Sequence, residues 1–168
     1  MSVSRKKLYI FLTLIAVLAV ATMIFIFSAQ KAEASSEASS AITDSFLGIT
    51  LPRFGNLSEE SLAHLKHITE ILIRKAAHFS EFAALGFFVY LHFGLYVKKS
   101  TWLLSWVTST VYAASDEIHQ FFVAGRSPGI VDVLIDSMGA LFGIAVMALI
   151  MYLANKKRKR GIKISFSK

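Results

Sequence analysis

The chain has 168 residues, of which 55% are hydrophobic and 17% charged, with no cysteine. Soluble domains carry about 25% charged residues, and here the apolar residues fall in long runs, so a soluble globular domain is excluded. The missing cysteines exclude a disulfide framework, a thiol nucleophile and a thiolate metal site. The net charge of +7 is concentrated at the chain ends beside apolar runs, a distribution that points to membrane topology rather than nucleic acid.

The first run, Leu8 to Phe27, is 20 residues without a charge, enough to cross a hydrocarbon core of about 30 Å. Ala32-Glu33-Ala34 resembles a signal-peptidase site, but signal h-regions are about 7–15 residues long, so a retained anchor is expected. Three further spans are expected at 76–97, 100–123 and 130–154, followed by a basic tail, 155–168. The fold class is therefore an all-α polytopic membrane protein. It is a single domain over 1–168, with four transmembrane helices and an outer helical segment between spans one and two.

That outer segment opens with an Ala/Ser/Glu-rich stretch, Gln30 to Ser40, compatible with helix or loose chain. Pro52, Gly55 and Asn56 mark a turn. Ser58 before Glu59-Glu60-Ser61 predicts an N-cap. Leu62, Leu65, Ile68, Thr69, Leu72 and Ile73 then follow the spacing of an amphipathic helix leading into span two, lying on the membrane surface or packing on the bundle.

Basic residues mark the cytoplasmic side of bacterial membrane proteins. With both termini inside, the cytoplasmic segments hold Arg5, Lys6, Lys7, Lys98, Lys99 and the seven Lys or Arg after Asn155, and none of the 11 acidic residues. The terminal basic run reads as a topology determinant in contact with anionic lipid.

This topology gathers polar groups at the outer face. Lys75, His78 and Glu81 stand at the start of span two, and Asp116, Glu117, His119 and Gln120 at the end of span three. Arg126 lies in the loop Gly125–Gly129, and Asp132 and Asp136 begin span four. Ionisable groups at membrane depth face the bundle interior or a wet cleft, paired with one another. The expected pairs are Arg126 with Asp132 or Asp136, and Lys75 with Glu117. His-x-x-Glu and Asp-x-x-His spacing would suit a divalent metal or acid–base chemistry, and Arg126 would suit a phosphate or carboxylate. A purely structural network is the competing reading, and neither metal nor cofactor is assigned. Gly139 and Gly143 are expected to pack helices closely. Trp102, Trp106 and Tyr152 are expected to face lipid or the interface, and His64, His67 and His92 are assigned no role.

Arg74-Lys75-Ala76-Ala77-His78-Phe79-Ser80-Glu81-Phe82 resembles the K-x-x-H-F-x-E-F/Y signature of the VanZ-like family. Asp116-Glu117-Ile118-His119-Gln120-Phe121-Phe122, Gly125-Arg126, Asp132 and the Gly139/Gly143 pair resemble its second signature, and Phe27-Ser28-Ala29-Gln30 resembles its F-S-x-Q. Asp136 departs from the pattern, which has Asn there. The resemblance implies a small multi-pass protein of the bacterial plasma membrane, in a family whose named member is associated with teicoplanin resistance, and it supplies no catalytic residues. The expected partners are the lipid bilayer and a cell-wall precursor or glycopeptide antibiotic. The expected function is an envelope protein altering glycopeptide access. The alternatives are an intramembrane enzyme or binding protein for a lipid-linked phosphate or glycan, and a structural or assembly subunit.

Overall fold

The computed structural model describes residues 3–50, 57–97, 99–127 and 129–165. They form five helices and no strand: α1 (Val3–Ser28), α2 (Ala32–Thr50), α3 (Glu59–Phe93), α4 (Thr101–Gln120) and α5 (Ile130–Ser165). The turn expected at Pro52, Gly55 and Asn56 lies outside the described residues, as do Lys98 and Pro128.

The chain from Glu59 to Leu85 holds neither Gly nor Pro, so nothing interrupts α3. Ser58 caps it, its hydroxyl accepting from the Ser61 N–H at 3.3 Å, and Glu59 and Glu60 meet the positive end of the helix dipole. The amphipathic approach and the second apolar run are thus one helix of 35 residues, about 52 Å long. The stretch from Gln30 to Ser40 is helical from Ala32 onward, and α2 packs on the first half of α3. Arg74 Nη2 donates to Ser36 Oγ at 3.1 Å, and Lys66 Nζ lies 2.8 Å from Asp44 Oδ1, so the two helices run antiparallel.

The tightest helix pair is α3 with α5. Gly139 lies against the Phe79 carbonyl, Gly143 against the Ala83 carbonyl, and Gly86 against the Ala140 carbonyl, so a Cβ at any of the three would collide with backbone. The small-residue spacing expected to pack helices does so. Above this crossing, Ile24 of α1, Phe82, Leu85 and Val89 of α3, and Ala113 of α4 form the buried core. Tyr112 donates to the Ala21 carbonyl at 2.6 Å, fixing α4 to α1. At the other end of the bundle Thr13 Oγ1 lies 2.9 Å from His92 Nδ1, giving that histidine a partner that helical spacing alone does not reveal. Trp106 corrects an expectation: its Nε1 donates to Ser137 Oγ at 2.8 Å, tying α4 to α5, whereas Trp102 and Tyr152 are exposed as expected.

Two helices, α1 and the Ile130–Lys157 part of α5, are long and apolar enough to cross a membrane. The second and third expected spans are helical but fall short of that test. His78, Ser80, Glu81 and His92 dilute α3, and α4 carries Ser, Thr, Asp116 and Glu117 among its apolar residues. The four-span arrangement therefore does not follow from length and composition of the helices alone.

Candidate functional site

The polar groups gather where the end of α1, the start of α2, the middle of α3, the end of α4 and the start of α5 meet. Some of them close on one another. Ser28 Oγ donates to Asp116 Oδ2 at 2.5 Å, and Gln120 Nε2 donates to the same carboxylate oxygen at 2.9 Å and to Ser28 Oγ at 3.0 Å. All three residues are buried, so each hydrogen bond saves a desolvated group from standing alone. Glu117 Oε2 accepts from the Gly129 N–H at 3.0 Å, at the entry to α5 where an anion meets the helix dipole.

The expected pairings change partners. Lys75 forms its ion pair with Asp132, not with Glu117. Glu117 is already engaged by the α5 entry, and the close approach of α3 to α5 brings Lys75 to the first turn of α5, where Asp132 sits. Arg126 pairs with neither Asp132 nor Asp136; its Nε donates to the Gln30 carbonyl at 3.3 Å. The loop turns Arg126 toward the α1–α2 junction through Gly125, whose φ of 77° lies in the left-handed region that a side chain disfavours.

The remaining groups stay open. One cavity of about 250 Å³ is lined by Arg74, Lys75, His78, Gln120, Arg126 and Asp132, among others. A neighbouring cavity of about 300 Å³ is lined by Phe27, Gln30, Ser39, Ile42 and Glu81, together with Arg74, His78 and Arg126 again. Two guanidiniums thus line both cavities, and among the described residues neither forms a salt bridge to a carboxylate. Among the described residues Arg74 reaches the Ser36 hydroxyl, while its Nε is buried without a partner. Partial burial, and then the like charge of Arg74, push the Arg126 pKa below its ordinary value. Guanidiniums in a half-buried wall have the chemistry to bind a phosphate or carboxylate, while Asp116, Glu117 and Glu81 offset part of the Arg126 charge.

Behind the wall, Asp136 is 1% exposed and neither of its carboxylate oxygens has a hydrogen-bond partner. His78 Nδ1 lies 4.0 Å from Asp136 Oδ1 and is likewise unpartnered, while the ring lines both cavities. His119 stands apart: its ring stacks on Phe25 with centroids 4.6 Å apart, and it lines neither of these cavities. Of the ten residues singled out from the sequence, Lys75, His78, Glu81, Gln120, Arg126 and Asp132 line a cavity. Asp116 and Glu117 are instead held in closed contacts. Among the described residues no three His, Cys, Asp or Glu side chains group as a metal site requires.

Arg74, Ser28 and Gln30 belong to this site without having been singled out as site residues. Ser28 and Gln30 were legible through the F-S-x-Q run, and Arg74 through its place beside Lys75. A family model described as VanZ/LLP1 matches residues 11–152. The chain belongs to that family. The match runs from α1 into α5 and so includes every residue of both the closed contacts and the open cavities. No curated protein and no solved structure matches the chain.

Proposed function

We propose that this VanZ/LLP1 chain is a four-span protein of the bacterial plasma membrane, with both termini cytoplasmic. On this reading its outer cavities bind the anionic head of a lipid-linked cell-wall precursor and so alter the access of glycopeptide antibiotics to that precursor. The membrane placement is supported by the exposed apolar faces of α1 and α5, which in water would be a large unfavourable surface, and by the basic residues at the chain ends. The observation that carries the ligand is the pair Arg74 and Arg126, unpaired to carboxylate and lining both cavities.

Purified protein incubated with a labelled lipid-linked phosphate retains it on this account, and Arg126→Ala loses retention. Equal retention by the two proteins would remove the proposal. In cells, deletion should change teicoplanin sensitivity and Arg126→Ala should reproduce the deletion at normal protein abundance. The structural reading draws on the closed contact of Ser28, Asp116 and Gln120, and it predicts instead that every phenotype follows the amount of folded protein.

A further inference from the structure

A third hollow adjoins the cavity at the α1–α2 junction, with Phe27 in both linings. Ala19, Thr22, Met23, Ile26 and Phe27 lie on one exposed flank of α1 and line an apolar space of about 450 Å³. The small side chains of Ala19 and Thr22 leave the dent, and Met23, Ile26 and Phe27 form its sides. Phe27 also lines the cavity at the α1–α2 junction, which in turn shares Arg74, His78 and Arg126 with the polar cavity beside Asp132. Polarity falls in one direction along this path: guanidiniums and Asp132, then a mixed wall, then hydrocarbon.

A membrane amphiphile carries the same gradient. From Phe27 to Ala19 the flank covers about 12 Å of helix, running from the level of the polar cluster back toward the N-terminus of α1. We infer that the three hollows together bind one single-chain amphiphile ending in a phosphate, its phosphate between Arg74 and Arg126 and its hydrocarbon chain along the α1 flank. The inference rests on the anionic-head reading of the two polar cavities and names the class of lipid. A soluble phosphate would leave the α1 hollow unused, and a chain without phosphate would leave both guanidiniums without a direct ion pair among the described residues, their nearest acidic neighbours acting only at a distance.

The test uses the full chain in a maltoside detergent and phosphate-free buffer, with calorimetry or competition as the readout. The probes are farnesyl phosphate, inorganic phosphate, farnesol and phosphatidic acid. Farnesyl phosphate should bind at least about tenfold more tightly than each of the other three. Ala19→Phe and Thr22→Trp, which fill the hollow from an exposed face, should each weaken farnesyl phosphate about tenfold or more and leave inorganic phosphate unchanged. Arg126→Ala should weaken both phosphate probes. If the two filling variants bind farnesyl phosphate like the wild type while Arg126→Ala does not, the chain does not lie on α1, and the head-binding reading stands. Phosphatidic acid or inorganic phosphate binding as tightly as farnesyl phosphate would also overturn the single-chain assignment. If neither phosphate probe binds the wild type, the head-binding reading itself fails.

Discussion

Two halves of one polar cluster behave differently. Around Asp116 the polar groups close on one another: Ser28 and Gln120 converge on one carboxylate oxygen and bond to each other, and Glu117 accepts from the Gly129 N–H at the entry to α5. Around Arg74 and Arg126 the opposite holds. The two cations have neutral partners, share two cavities, and stand in front of an Asp136 whose carboxylate oxygens bond to nothing. A satisfied buried network fixes helices in register, whereas unsatisfied groups facing open space cost stability and persist when something else engages them. The first half reads as scaffold and the second as site.

The largest expected effect comes from the contact that sets both halves in place. Gly143→Leu drives a side chain into the Ala83 backbone at the α3–α5 crossing and should destabilise by about 3 kcal/mol, seen as a lowered thermal midpoint in detergent with loss of ligand binding. A variant of wild-type stability would break the account of this crossing. Asp116→Ala comes next. It removes the carboxylate that Ser28 and Gln120 share, leaving the two only their bond to each other in a buried pocket, and should cost about 2 kcal/mol, with binding falling only as far as folded protein falls. If Asp116→Ala instead abolished binding at full stability, the division between scaffold and site would be wrong.

Tyr112→Phe removes one hydrogen bond to the Ala21 carbonyl and should cost about 1 kcal/mol, read from the same melting curves. The smallest effect belongs to the exposed pair between α2 and α3. Lys66 is raised above its ordinary pKa, first by its hydrogen bond to Asp44. That contribution is present at neutral pH and disappears as pH rises through the lysine's own titration. Because the pair is exposed, Lys66→Ala should leave the melting midpoint unchanged.

Much of this was legible in the chain. The apolar runs, the basic ends, the Gly139/Gly143 spacing and the VanZ-like signatures place the helices and mark nearly all the polar groups. Pairing was not legible, because the choice of Asp132 over Glu117 for Lys75 depends on how α3 and α5 rotate against each other. Spacing within one helix carries no information about that rotation. Nor does α1 betray which face meets Phe82, since it is apolar on all sides. The partner of Trp106 is hidden for the same reason: Ser137 sits on another helix. The expected second and third spans blur in composition because the polar cluster, the Ser and Thr residues of α4 and His92 all lower their hydropathy.

The topology offers its own check, since the chain has no cysteine. Ser61→Cys should react with a membrane-impermeant maleimide in intact cells, and Ser4→Cys only after lysis; the reverse pattern would invert the protein and place the cavities on the wrong face.

The most direct measurement of the central claim is made on a single sample of the Arg74→Ala, Arg126→Ala double variant. Its thermal midpoint and its affinity for a lipid phosphate are recorded together. The account predicts a midpoint lowered by no more than the two neutral hydrogen bonds that leave with Arg74 and Arg126, about 1 kcal/mol each, together with lost binding. A midpoint that drops further while the remaining folded protein still binds would show that these guanidiniums hold the bundle together and that the ligand site lies elsewhere.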